Sequence, residues 1–276
     1  MSRHLPIGRI AAAVAVVVGA LVLARGHATP RFRAVGRGLE FAVLRGDPYC
    51  RQGSSAIAIL RVDPVQARVR VHHFSTVSDR PLDILTWQRR TGAAVVFNAG
   101  QYYPDLSYMG MLVSGGRPLS SKPHPTFKAL LVAEPVGAGP RARVLDLEHD
   151  VFDAQRPQWK EIAQSFMLFD VRGTVRVRKS PQIAPRTVVA EDAEHRLLIF
   201  TSEGSYTLSD FATLLRAAPL QLTRAMSMDG GDEAQMCVRT GAFHYASFGH
   251  WDPAKDSSDL MASVVPLPAV ITVGGE

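Results

Sequence analysis

The chain has 276 residues, 46% of them hydrophobic and 20% charged, with a mean hydropathy of +0.03 and a formal net charge of +6. This length suits one domain, or at most two small ones, and is enough to bury a core without staples. Plentiful apolar residues exclude an intrinsically disordered chain, two cysteines exclude a disulfide-dense scaffold, and a single long apolar run excludes a polytopic membrane protein.

That run is N-terminal. Arg3 and Arg9 precede an uninterrupted apolar stretch, Ile10 to Ala24, and a small-x-Ala site follows at Gly26-His27-Ala28. The stretch is shorter than the ~20 residues of a membrane-spanning helix. Residues 1–28 therefore read as a secretory signal peptide, with an uncleaved signal anchor as the alternative suggested by Arg25. Either way the rest, residues 29–276, is expected to be one exported domain, periplasmic or secreted, touching a membrane only through an uncleaved leader. Without residues 1–28 the chain holds 28 basic and 25 acidic side chains, a net of +3. The excess is local: residues 29–90 carry 11 Arg against 5 acids, while 91–276 carry 17 basic against 20 acidic residues. The arginines are scattered and no aromatic platform interleaves them, so they read as a solvated strand face and no nucleic-acid partner is expected. Export permits a disulfide, and Cys50 and Cys237 are expected to form one across nearly the whole domain, two buried thiols being the alternative.

No internal repeat or low-complexity linker interrupts the chain. Residues 29–54, rich in Arg and Gly, are expected to wrap loosely. Ala56–Val62 reads as a strand stopped by Asp63-Pro64, and Arg68–Phe74 alternates with period two and pairs back on it. A helix is predicted from Pro81 through Arg90, stopped at Thr91-Gly92. Ala93–Phe97 is a short central strand ending at Asn98-Ala99-Gly100. Ser114-Gly115-Gly116 signals a hairpin between Met111–Val113 and a strand near Arg117. Phe127–Ala133 with Ala142–Leu147, Met167–Asp170 with Thr174–Arg178, and Thr187–Ala190 with Leu197–Phe200 read as further strand pairs. The clearest helix is Leu208–Ala218, with Thr207 at the N-cap, Asp210 completing a capping box, and Pro219 as the stop. The strand Ala225–Met228 runs into a turn at Asp229-Gly230-Gly231, and Val270–Val273 is a last strand. Many short strands with two or three irregularly placed helices give an α+β fold in a single domain, its sheet mixed or mainly antiparallel.

Generic catalytic signatures are absent: there is no G-x-S-x-G elbow, H-E-x-x-H, P-loop or dinucleotide fingerprint. His244 and His250, six apart in an expected loop, have an uninformative spacing, so no metal site and no cofactor is predicted. What stands out is polar residues placed just past apolar strands. Asn98 follows Val95-Val96-Phe97, Asp229 follows Ala225–Met228, and Arg186-Thr187 open a strand after a Pro-bounded loop. Glycine beside such a residue lets a ligand approach the backbone, although ordinary turns use the same residues.

The order of these pieces carries a resemblance. An aliphatic strand enters Asn98-Ala99-Gly100-Gln101-Tyr102-Tyr103; a hairpin follows at Gly110–Gly116; then come Gln164-Ser165-Phe166-Met167-Leu168, Arg186-Thr187-Val188-Val189-Ala190, Met226-Ser227-Met228-Asp229-Gly230-Gly231, and Pro266-Leu267-Pro268 leading into Val270-Ile271. Six such motifs in this order, over about residues 55–273, resemble the phosphodiester glycosidase family, which includes exported bacterial members linked to exopolysaccharide. Two departures mark a divergent branch: Ala99 replaces a family glycine, and Asp232-Glu233-Ala234 stand where Gly-Ser-Ser often follows Asp-Gly-Gly.

The resemblance implies hydrolysis of a sugar-1-phosphodiester or a related envelope or exopolysaccharide glycoside, with a glycan or sugar-phosphate substrate. Such a reaction needs charge neutralisation at phosphate and support for an oxocarbenium-like centre. On this reading Arg186 is the phosphate clamp, Asp229 the principal carboxylate, Glu233 its acid–base partner and Asn98 the residue that orients the substrate. Gly100, Gly230 and Gly231 give backbone access, and Gln164, Ser165 and Thr187 are weaker substrate-binding candidates. The alternatives are a non-catalytic glycan-binding protein on the same fold, favoured by the acidic Asp232-Glu233 turn, and a metal-dependent hydrolase using Asp229, Asp232, Glu233 and His250.

Overall fold

A computed structural model describes residues 28–241, 243–249 and 264–274. The expected leader, up to residue 27, and His250 lie outside the described residues. The strands in chain order are β1 (Arg33–Gly36), β2 (Leu39–Arg45), β3 (Ala56–Val62), β4 (Arg68–His73), β5 (Val95–Asn98), β6 (Leu112–Ser114), β7 (Arg117–Ser120), β8 (Ala129–Pro135), β9 (Ala142–Asp146), β10 (Trp159–Phe169), β11 (Ile183–Ala184), β12 (Arg186–Asp192), β13 (Leu197–Ser202), β14 (Tyr206–Thr207), β15 (Leu222–Gly230), β16 (Gln235–Thr240), β17 (Phe243–Phe248) and β18 (Ala269–Gly274). The α-helices are α1 (Ile84–Thr91) and α2 (Leu208–Ala217).

One sheet runs β1-β2-β3-β13-β12-β15-β10-β6-β7, with β8 branching from β10 and carrying β9. A second runs β17-β16-β5-β18-β4, and β11 pairs with β14 alone. Strand pairing among the described residues is antiparallel throughout. The sheet of the α+β fold is therefore antiparallel rather than mixed.

The period-two alternation of each strand explains how the sheets stack. On β3, Ala58, Leu60 and Val62 join a core with Val95 and Phe97 of β5 and Ile271 and Val273 of β18, between the sheets. The opposite face of β3 sends Ile57 and Ile59 to a second core with Phe211, Leu214 and Leu215 of α2. On the small sheet, Val96, Cys237 and Val270 face outward to Ile84 and Trp87 of α1. The order is thus α1, small sheet, large sheet, α2. Both faces of the central strands are covered, which is why their sequences read as continuous apolar runs.

Local chemistry accounts for the helices. Asp83, not Pro81, begins α1: its side chain accepts from Thr86 N at 2.8 Å, and Leu82 is occupied by a bridge to Leu267. Gly92, at φ 64°, closes it. Thr207 caps α2 by accepting from Asp210 N at 3.0 Å, but the Asp210 carboxylate pairs with Arg51 instead of completing a capping box. Other expectations shift for packing reasons. Residues 29–54 do not wrap loosely; Leu39, Phe41, Ala42 and Leu44 are buried along β2, which pairs with β3 over its full length. Thr174–Arg178 forms no strand, only a bridge from Val175 to Phe169. The region around His244 is not a loop but β17, whose His244 pairs with Arg239 of β16.

Cys50 and Cys237 are free thiols, not a disulfide. Cys50 packs on the outer face of the large sheet, near Gln52, Gly53 and Ser54 carbonyls, whereas Cys237 lies under α1 on the outer face of the small sheet. Two packed sheets lie between them, about 10 Å apart, and a disulfide needs Cα atoms within about 7 Å. Cys237 Sγ donates instead to Gln88 Oε1 at 3.2 Å, and burial pushes its thiol up from the ordinary value.

Glu161 of β10 reaches between the sheets. Its carboxylate accepts Val71 N of β4 at 2.9 Å and Gly115 N at 3.1 Å, and Ser114 donates to Val71 O at 2.6 Å. Edge strand β4 is thereby docked on the large sheet. Two predictions follow from this architecture. Glu161→Leu leaves two backbone donors unanswered and is expected to lower stability by about 2–4 kcal/mol, measured by urea denaturation. Without reductant, denatured protein is expected to show two titratable thiols toward an aromatic disulfide reagent, and native protein is expected to react first at half-buried Cys50; a thiol count of zero after denaturation contradicts this arrangement.

Candidate active site

The C-terminal end of β5 and that of β15 meet. Asn98, the last residue of β5, is 1% exposed. Its Nδ2 donates to Asp229 O at 3.0 Å and Ala99 O at 3.1 Å, and its Oδ1 accepts Gln235 N at 3.2 Å. Asp229 N in turn donates to Ala99 O at 3.1 Å. Both side-chain polar atoms of Asn98 are spent on backbone, that of Asp229 in β15, Gln235 in β16 and the neighbouring Ala99. Asn98 is thus bound to the Asp229 carbonyl and is not among the residues that line the cleft.

β15 does not turn at Asp229. It continues through Gly230, which pairs with Arg186 of β12, and the chain bends only at Gly231, at φ 76°, into a 3-10 turn over Gly231–Glu233. Asp229 is therefore held on a strand, half-buried, with one carboxylate oxygen accepting Gly230 N at 2.9 Å. Burial, together with the negative charge of Glu233, raises its pKa to about 7; the Gly230 amide and Gln101 oppose the rise. Glu233 accepts the Tyr102 hydroxyl at 2.9 Å, and burial and this bond push the Tyr102 phenol upward. Tyr102 keeps its proton and acts as a donor.

Arg186 opens β12 beside Gly230. Its Nε and Nη2 donate to Tyr206 O at 3.0 and 2.8 Å, and Nη2 also reaches Gln182 O at 3.2 Å. A side chain at Gly230 would come within 3.3 Å of Arg186 Nη1, so glycine there leaves room for the guanidinium. Two of the three nitrogens are committed, which turns the expected bidentate clamp into a donor acting through Nη1. Burial lowers the Arg186 pKa only from a very high value, so its charge persists.

Arg186, Asp229, Gly230 and Gly231 line a cleft of about 740 Å³ together with Gln101, Phe166 and Arg176 among others, and Tyr102 and Glu233 stand beside it, next to Asp229. That volume fits a small-molecule or glycan ligand. Phe166 forms a wall and is backed by the Phe127 ring at 4.2 Å. The other expected binding residues are structural. Gly100 lies against Tyr108: an added Cβ would stand 2.5 Å from the Tyr108 hydroxyl and 3.0 Å from Gln164 O. Gln164 is fully buried, accepting Met111 N and His124 N and donating to His124 O and Phe127 O. Ser165 is buried against Ser227 O at 2.5 Å, and Thr187 is buried within the large sheet. Gln101, Tyr102 and Phe166 were not expected at the site, although each is a polar or aromatic residue one or two positions from a residue that was. Arg176 has no such signal, since sequence places it on a strand that does not form.

Among the described residues, two acids and a histidine meeting the distances for a metal group lie at Asp146, His149 and Asp170, with Glu148 nearby through Arg176, not at Asp229, Asp232 and Glu233, and His250 lies outside the described residues. Because the pKa of Asp229 is raised above that of an unfolded aspartate, the folded state holds the extra proton between about pH 4 and 7, and stability contributed by this group falls as pH rises through that window. Asp229→Asn is expected to raise Tm relative to the parent at pH 8 and to lose that advantage at pH 4, read by thermal denaturation at both pH values.

Residues 91–265 match the model of the phosphodiester glycosidase family. Among solved structures, the zebrafish N-acetylglucosamine-1-phosphodiester alpha-N-acetylglucosaminidase catalytic domain, auto-inhibited by its pro-peptide, superposes with a TM-score of 0.61 at 16% identity, over 90% of this chain and 89% of that one. A Synechocystis protein superposes at 0.51 with 12% identity, over 88% of this chain and 61% of its own, and a Burkholderia pseudomallei protein at 0.50 with 10% identity, over 80% and 74%. At these identities the structural likeness concerns the fold. No curated protein matches the sequence. The family match spans well over half of the chain and contains Asn98, Arg186, Asp229 and Glu233, and the chain belongs to the phosphodiester glycosidase family.

Proposed function

We propose that this protein is an exported hydrolase that cleaves a sugar-1-phosphodiester, or a related envelope or exopolysaccharide glycoside, at the glycosidic bond. The observation that carries the reading is Asp229: a strand-borne, half-buried carboxylate on the cleft floor, with a pKa raised to about 7, beside a second carboxylate and one residue from a strand partner of Arg186. Export rests on the leader-like segment, Arg3 and Arg9 ahead of Ile10–Ala24.

The chemistry assigns the roles. When the anomeric C–O bond of a sugar-1-phosphodiester breaks, the electron pair goes to a phosphate oxygen and a phosphomonoester anion leaves. That group is stable without a proton, so general acid help is a small part of the barrier. Arg186 Nη1 neutralises the phosphate, and Tyr102 holds Glu233 near the developing positive charge at the anomeric centre. Water supplies the new C–O bond and passes its proton to ionised Asp229, whose pKa near neutrality suits a general base. Phe166, supported by Phe127, offers an apolar face to the sugar ring.

Two outcomes are expected with a sugar-1-phosphate alkyl diester as substrate. Asp229→Asn lowers kcat by about 10²–10⁴-fold while the protein stays folded. Parental kcat/KM rises with pH through about 7, since Asp229 must be ionised to accept the proton, and this limb disappears in Asp229→Asn. Saturable glycan binding without turnover by the parent protein would instead support the non-catalytic reading, and turnover abolished by a chelator would support the metal-dependent one.

A further inference from the structure

A separate cluster of acids stands behind the Arg176 side of the cleft. Asp146 ends β9, His149 follows in the turn after it, and Asp170 follows β10. One ligand atom from each lies within 4.8 Å of the other two. Asp146 and Asp170 are buried, 0% and 3% exposed, while His149 is exposed. Each carboxylate is anchored by one oxygen. Asp146 Oδ1 accepts Glu148 N at 3.0 Å, and Asp170 Oδ1 accepts Arg172 N at 3.0 Å and Thr174 N at 2.9 Å. Both Oδ2 atoms are thereby left for the cluster.

A second observation points to a ligand there. Asp146 Oδ2 is buried and has no hydrogen-bond donor. An oxygen carrying charge in a low-dielectric interior is costly unless something answers it. Arg176 answers in part: Nη1 stands 3.4 Å from Asp170 Oδ2 but 3.7 Å from Asp146 Oδ2, beyond hydrogen-bond reach, while Nη2 is drawn to Glu148. His149 Nε2 is 3.9 Å from Asp170 Oδ2, also too far for a hydrogen bond. Three carboxylates against one guanidinium leave two negative charges, the charge of one divalent cation. Neighbouring Asp150 is taken by Arg224 at 2.5 Å.

We propose that Asp146, His149 and Asp170 bind a first-row divalent transition cation of the manganese or zinc type. Two carboxylate oxygens and one imidazole nitrogen suit those ions, whereas calcium prefers oxygen alone. At metal–ligand distances of about 2.0–2.2 Å, neighbouring ligand atoms stand about 3–3.5 Å apart and opposed ones about 4.0–4.4 Å, so the cluster closes around an ion by a contraction of about 1 Å. Exposed His149 provides the entry path and leaves coordination positions for water. Arg176 Nη1 is the competitor for the same oxygens and turns away as the ion enters, with Glu148 retaining Nη2. Because Arg176 also lines the cleft, occupancy of the cation site and of the cleft are linked, by the same factor in both directions.

The experiment is equilibrium dialysis of the full, chelator-stripped protein against Mn²⁺ or Zn²⁺, with the Mn²⁺ electron paramagnetic resonance signal as a second readout. Retention of about one ion per chain is expected. His149→Ala, a change at an exposed position that leaves the core intact, weakens retention by roughly tenfold or more, and Asp146→Asn does the same if it folds. Arg176→Gln tightens retention, because it removes the competing cation; an ordinary structural ion pair would give no such gain. Absence of stoichiometric retention at sub-millimolar metal, retention unchanged in His149→Ala, or retention weakened in Arg176→Gln would overturn the proposal.

Discussion

Asn98 is the joint on which the rest of the site depends. Two hydrogen bonds of one buried amide fasten the end of β5 in the small sheet to the Asp229 carbonyl in the large sheet and to the start of β16, and a third, to the Ala99 carbonyl, holds the amide in place. Beside Asp229 lies the cleft, lined from β12, β15 and the segment 176–184. A side chain with only a donor or only an acceptor cannot make this joint, because the backbone groups it must meet are two carbonyls and one N–H. Asn98 therefore decides where Asp229 sits without touching a ligand.

The electrostatics of the site follow from that placement. Asp229 is held on a strand and pressed close to Glu233, so two acids share one poorly solvated corner and the more buried one resists ionisation. Strand-borne placement gives the carboxylate a fixed direction, which loop placement would not. Arg186 gains its fixed direction in the same way, by spending two nitrogens on carbonyls and keeping one for the cleft. The arrangement costs stability at neutral pH, where half-buried Asp229 must ionise, a common feature of reactive sites.

Much of this fold was legible in sequence because its central strands are buried on both faces. Ala56–Val62 matches β3 residue for residue, the runs from Thr187, Leu197 and Ala225 lie within strands, and Ala93–Phe97 overlaps β5 from Val95 on. The Thr207 cap and the Gly92 stop are local chemistry and were equally visible. β2 was not, because half-buried Glu40 breaks its apolar pattern and its burial comes from pairing with β3. β16 and β17 carry Gln, Arg, Thr and His, and only a neighbour across the sheet makes them strands. The cysteine pair misled for a related reason: two cysteines in one chain suggest a disulfide, but two layers of sheet stand between the thiols.

Sequence by itself determined the class of fold, the family and the strand-end positions of Asn98, Arg186 and Asp229, because these depend on apolar periodicity and on motifs read in order. Only the tertiary structure decided what each polar residue does. Asn98, Gly100, Gln164, Ser165 and Thr187 stand in motifs of the same series as that of Asp229, yet they face backbone and neighbouring side chains, while Tyr102 and Phe166 join the site from unremarked positions in those motifs and Arg176 from outside them. The reason is physical: a strand residue points to one face or the other, and what waits on that face is set by chain segments far away in sequence.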